Sequence, residues 1–179
     1  MNRTEIYKNG FSWPLLFSTI PIIIISIPGI LTNIVLICVT IKNKALHGTT
    51  NFLLAQLAFY EIIHETGYFV VLYCNLIGLN SLTYSKASRL FSVPLFTVFG
   101  ISPLMAFTGI DRLLYVIFSI SFPKKVNPTI YLGVYTFICV IYCGLMTAGL
   151  IWFNDVNPDL VISALLSDVL TVESFYFKN

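Results

Sequence analysis

The stretch TGIDRLLYVIFSISFPKK, residues 108–125, places Asp111 and Arg112 side by side with apolar residues before and after them. An unpaired ion in hydrocarbon costs several kcal/mol, so an acid and a base in that setting need a physical reason. The reason depends on what the rest of the chain builds around them.

Working outward, the 179 residues are 57% hydrophobic and only 10% charged, with a mean hydropathy of +0.86. A soluble domain carries roughly 25% charged residues, so this chain lacks the polar side chains to cover a water-facing surface. A polytopic membrane protein follows, with the lipid bilayer as its first partner. The net charge of +2 and the absence of a basic run exclude a nucleic-acid partner on electrostatic grounds.

Four apolar segments reach the ~20 residues a spanning helix needs. They run over about 15–41, 52–74, 90–118 and 129–153. The first and fourth hold no charge; the second contains Glu61, His64 and Glu65, and the third contains Asp111 and Arg112. The loops between them are short, so neighbouring helices should run antiparallel. Residues 1–14 form a polar tail, and 154–179 form an outer loop or an amphipathic tail.

The first segment is much longer than the ~7–15 apolar residues of a cleaved leader, and reads as an anchor that stays in the membrane. Lys42 and Lys44 follow it directly, which puts the first loop in the cytoplasm and the N-terminus outside. The remaining cations divide almost evenly between the two sides. Asn2-Arg3-Thr4 is a glycosylation sequon and agrees with an outside tail.

Cys38, Cys74, Cys139 and Cys143 all fall within or at the edge of spans. Cys139 and Cys143 share a helical face, but no further Cys or His is spaced to complete a metal site; they read as small apolar fillers. A phosphate loop, a nucleophile elbow and a zincin pattern are all missing from the sequence. Nothing argues for an enzyme, and no cofactor or metal is expected.

The polar groups inside the spans carry the information. Asn33 lies mid-span in GILTNIV, and Glu61, His64 and Glu65 occupy nearly one face of the second helix. Such side chains should face protein or trapped water rather than lipid. They are the expected polar core of the bundle.

At these residues the chain resembles the first four helices of a rhodopsin-like seven-helix G protein-coupled receptor. Asn33 resembles the asparagine of that family's first helix. LLAQLAFYE, residues 53–61, resembles the second-helix signature of Leu-Ala followed by an acid, here Glu61. TGIDRLL, residues 108–114, resembles the acid-Arg motif that closes the third helix at the cytoplasm. With NKALHGTTNFLLAQLA, the phrasing is most similar to the nematode chemoreceptors of serpentine receptor class sx, Srsx. The expected fold is therefore an all-α membrane protein, the four-helix N-terminal part of a seven-transmembrane bundle. The resemblance implies a plasma-membrane receptor for an unknown small-molecule or peptide ligand. It also implies that Asp111 and Arg112 form the resting pair, and that Asp111-Arg112-Leu113 faces a heterotrimeric G protein on activation.

The sequence departs from the family in several places. Ala87, Ser88 and Arg89 stand where a cysteine usually bridges to the second outer loop, so no such disulfide is expected. Ser119 stands seven residues after Arg112, where proline is common, and the fourth segment has only Trp152, near its end. Pro94 and Pro103 each remove a backbone donor from the third helix. No fifth span follows residue 153, so the expectation is a fragment or truncated product that does not activate a G protein by itself. Two other classes are compatible with the same residues: a membrane adaptor pairing with full-length receptors, and, more distantly, a proton transporter using Glu61, His64 and Glu65. By the same resemblance, ligand contacts would come from the outer half of the third helix, Phe91 to Phe99, and from Tyr68.

Overall fold

The computed structural model describes residue 11 and residues 13–79, 81–117, 127–156 and 161–163. Asn2, residues 118–126 with Ser119, Lys124 and Lys125, and most of residues 154–179 lie outside the described residues.

The described chain is built on helices: α1 (Trp13–Lys42), α2 (Thr49–Leu76), α3 (Tyr84–Leu90), α4 (Ser92–Ile117) and α5 (Pro128–Val156). A single 3-10 turn, Lys44–Leu46, separates α1 from α2. The 30 residues of α1 rise about 45 Å at ~1.5 Å each, more than the ~30 Å of a bilayer core. Helices α1, α4 and α5 are long and apolar enough to cross a membrane by length and composition. Helix α2 is as long, with 28 residues, but carries the acids and the histidine.

Local chemistry sets the ends. Asn43 Oδ1 accepts from the Ala45 N–H across 3.1 Å and starts the 3-10 turn. Gly78, at φ 75°, closes α2 in the left-handed conformation, which lets Leu79 N reach Cys74 O at 2.9 Å. Asn127 Oδ1 accepts from Thr129 N at 3.0 Å, and Pro128 follows it at the first helical position, where its missing N–H costs nothing. Between α3 and α4 only Phe91 falls out of the helix. Pro94 cannot donate to the carbonyl four residues earlier, yet Phe91 N still bonds Ala87 O and Leu95 N still bonds Phe91 O, at 2.9 and 2.8 Å. Across Pro103, α4 continues.

Helix α2 packs against α1 on one side and α4 on the other, and α4 packs against α5. Two apolar clusters fill the interior. One joins Val71, Ala87, Phe91 and Leu95; the other joins Leu53, Leu57, Tyr60, Leu104, Cys139 and Cys143. At Gly100 the helices approach so closely that a Cβ would run into the Tyr60 ring.

Burial is inverted relative to a soluble protein. Thr19, Ser26, Thr40, Thr97, Thr108 and Asp111 are buried, while Phe17, Ile24, Ile25, Val116 and Phe137 are exposed. The hydroxyls of Thr19, Ser26, Thr40, Thr97 and Thr108 return to their own helix, as Thr19 Oγ1 does to Leu15 O at 2.7 Å and Thr108 Oγ1 to Leu104 O at 2.8 Å. An apolar exterior of this extent is stable only against lipid. This is an all-α membrane protein.

One short ribbon completes the described chain. Strand β1 (Ser81–Thr83) pairs antiparallel with β2 (Val161–Ser163), in the register Ser81–Ser163, Leu82–Ile162 and Thr83–Val161. Of the tail, residues 154–156 continue α5, and residues 161–163 are extended backbone paired to the α2–α3 connection, at the end of the bundle opposite Lys42.

Candidate functional site

Asp111 and Arg112, adjacent in sequence, have opposite surroundings. Asp111 is fully buried, whereas Arg112 is exposed. Consecutive helical residues do not face one another, and among the described residues the structure brings no ion pair between them. The Asp111 carboxylate instead receives hydroxyls from the first turn of α2. Thr49 Oγ1 donates to Oδ1 at 3.1 Å and to Oδ2 at 3.2 Å, and Thr50 Oγ1 also donates to Oδ2. Tyr131 of α5 interacts with the same carboxylate.

This placement has an electrostatic logic. Helix α2 has no acidic residue in its first turn and no side-chain cap at Gly48. A helix N-terminus carries about half a positive charge, and Asp111 supplies the negative counterpart from across the α2–α4 interface. Two hydroxyl donors and the helix terminus together offset the cost of burying the acid. Leu113, next along α4, is 57% exposed.

The polar residues of the spans divide into separate contacts. Asn33 Nδ2 on α1 donates to Glu61 Oε2 on α2 at 3.1 Å. One turn along α2, Glu65 lies against Gly29 of α1, where any Cβ would meet its carboxylate. His64 pairs within its own helix: its Nε2 lies 3.2 Å from the Tyr68 hydroxyl, with the rings edge to face at 5.2 Å. His64 Nδ1 and Glu65 Oε2 are buried and have no hydrogen-bond partner among the described residues. Asn33, Glu61 and Glu65 therefore share the α1–α2 seam, and His64 joins them through α2 alone.

Other tethers lay outside the reach of sequence reasoning. Asn75 Nδ2 donates to Thr19 Oγ1 at 3.0 Å, and Thr136 Oγ1 of α5 donates to Gln56 Oε1 of α2 at 3.1 Å. Thr49, Thr50, Asn75 and Gln56 all sit on α2, which makes that helix the polar spine of the bundle. The one sequence signal that could have found the Asp111 partners is the hydroxyl pair directly after Gly48, at a predictable helix start.

The four cysteines are free thiols. Cys139 and Cys143 stand 3.9 Å apart, and Cys139 Sγ points at Gly100 O across 3.7 Å. Among the described residues no group of three His, Cys, Asp or Glu could hold a metal. Phe91, between α3 and α4, and Leu95, in the first turn of α4, are buried in the cluster with Val71 and Ala87, and Tyr68 packs against that cluster.

Compared with known proteins, residues 26–177 match the family model described as serpentine type 7TM GPCR chemoreceptor Srsx. No curated protein matches the chain, and neither does any solved structure.

Proposed function

Since the chain belongs to the Srsx family of serpentine seven-transmembrane chemoreceptors of the G protein-coupled class, we propose that its Asp111-Arg112-Leu113 end meets a heterotrimeric G protein. In this reading the receptor lies in the plasma membrane with its N-terminus outside. A small molecule or peptide is sensed at the opposite end of the bundle. Membership in a receptor family, and not an enzyme family, sets the class; the coupling residues are the finer part of the reading.

A single observation carries it. Asp111 is fully buried and held by Thr49 and Thr50, while its neighbour Arg112 is exposed and has no anionic partner among the described residues. An arginine presented at a bundle mouth is free to exchange solvent for a carbonyl or carboxylate of a partner, and a few kcal/mol decides which state dominates. Asp111 then acts as the fixed anchor of α4 on α2, and Arg112 as the group that changes partner.

The test is a receptor in which these residues supply the first four spans and another Srsx receptor supplies helices five to seven. Guanine-nucleotide exchange that vanishes in Arg112→Ala, at equal surface expression, supports the reading. Exchange of equal strength in both versions would move coupling to another part of the cytoplasmic face.

A further inference from the structure

A cleft of about 290 Å³ opens between α1, α2 and α5. Its walls are Ile37 and Ile41 from the last turns of α1, Phe52 and Ala55 from the first turns of α2, and Leu132 from the start of α5. Its polar lining is Thr40, Gln56 and Thr136; Thr136 Oγ1 donates to Gln56 Oε1 at 3.1 Å and Thr40 Oγ1 to Leu36 O at 2.9 Å, so these oxygens are already engaged within the protein. The volume is near the lower end of small-ligand pockets, which start around 300 Å³. It has room for part of one acyl chain.

What lies beside the cleft identifies the rest of the occupant. Lys42 follows Ile41 directly, and Lys44 begins the next turn; both are exposed, and neither has an anionic partner among the described residues. His47 touches two of the wall residues. Its Nε2 lies 3.2 Å from Ile41 O, and its ring packs against Phe52 with centroids 5.6 Å apart. The acid of this end, Asp111, is fully buried and consumed by Thr49 and Thr50. An apolar cleft therefore runs up to two exposed lysines that have no anionic partner among the described residues.

We infer that the α1–α2–α5 cleft is a binding site for an anionic phospholipid, with one acyl chain along Ile37, Phe52 and Leu132 and the headgroup at Lys42 and Lys44. In a bilayer the apolar walls do not discriminate among lipids, because the surrounding tails are as apolar as the cleft. The cleft fixes position, and selectivity comes from the lysines. Each lysine near a membrane surface favours an anionic lipid about fivefold, so removing both should cost roughly thirtyfold. The inference is independent of G-protein coupling, and its test reads no signalling.

The experiment is native mass spectrometry of the purified full chain with equimolar palmitoyl-oleoyl phosphatidylserine and phosphatidylcholine. Three proteins are compared: the unchanged chain, Lys42→Gln/Lys44→Gln, and Ala55→Leu, which fills the cleft without altering charge. Circular dichroism checks the helix content of each, and the lysines are exposed, so their replacement leaves packing intact. The expected result is preferential retention of phosphatidylserine by the unchanged chain, lost in the lysine variant and reduced in Ala55→Leu. Equal retention of the two lipids by the unchanged chain would overturn the site. So would a preference that survives Lys42→Gln/Lys44→Gln. A preference untouched by Ala55→Leu in a folded chain would place the lipid elsewhere and overturn it too. A dimer that disappears in Ala55→Leu, with no lipid retained, would assign the cleft to a second copy and equally refute the inference.

Discussion

Asn33 Nδ2 of α1 lies 3.1 Å from Glu61 Oε2 of α2 and donates to it, tying an amide inside one long helix to a carboxyl group inside the next. Neither group could rest against lipid, and each satisfies the other. Near the α2 end of the same seam, Asn75 and Thr19 repeat the device at 3.0 Å. The α1–α2 pair is thus fixed in rotation by polar contacts at two heights, although α1 is otherwise almost bare to the bilayer.

Glu61→Gln should be tolerated and Glu61→Lys should not. Glutamine keeps an oxygen that accepts from Asn33, while lysine places a second donor and a cation against it, a change worth about 2.5–3.5 kcal/mol at mid-span. Insertion through the translocon and yield of folded protein read the difference. A Lys variant that inserts as well as the parent would mean that position 61 faces water. A double-mutant cycle of Asn33→Ala with Glu61→Ala should give a coupling of about 0.6 kcal/mol, with ~1.7 kcal/mol as its ceiling.

Thr50→Val should destabilise the bundle by roughly 1–3 kcal/mol, because the buried Asp111 carboxylate loses a donor that it cannot replace from water. Thr50→Ser should be close to neutral, since the hydroxyl remains. Thermal unfolding in detergent distinguishes the two. Equal loss in both variants would point to the Thr50 methyl group rather than to the hydrogen bond.

Two glycines should behave differently when given a methyl group. At Gly100 the added carbon meets the rigid Tyr60 ring and lies 3.0 Å from Cys143 Sγ, so Gly100→Ala should cost about 1–3 kcal/mol. At Gly29 it meets the mobile carboxylate end of Glu65, which can rotate away, so Gly29→Ala should cost less. Adding Glu65→Ala should remove that remaining cost. Melting temperatures in the same detergent rank the variants, and a reversed order would contradict the packing at Gly100.

The proposed orientation makes a labelling pattern. With Cys38 replaced by alanine, Thr4→Cys should react with an impermeant maleimide in intact cells, whereas Lys44→Cys should react only after permeabilisation. The opposite pattern would invert the protein in the membrane and remove Asp111-Arg112-Leu113 from the cytoplasmic face.

Composition alone puts this chain in lipid, because 10% charged residues cannot solvate a surface whatever the packing. Three of the apolar segments coincide with helices long and apolar enough to cross a membrane, and the order of Asn33, Glu61 and Asp111-Arg112 along the chain carried the resemblance to the Srsx family, which the matched residues 26–177 bear out. Those are properties of composition and local order, legible in one dimension. The helices overrun the apolar segments at several ends, as α2 does by starting at Thr49 and ending at Leu76, because capping groups such as Gly78 decide where a helix stops. Which member of each polar group is buried follows from helix packing. The step of about 100° between successive helical residues sends Asp111 inward to Thr49 and Thr50 and Arg112 outward, and a neighbouring helix must be in place before inward has a meaning. The pairing of Thr136 with Gln56, the fit of Tyr60 on Gly100 and the ribbon of Ser81–Thr83 with Val161–Ser163 depend likewise on residues tens of positions apart. Such contacts form when lipid-excluded side chains must satisfy each other, and that constraint exists only once the helices are side by side.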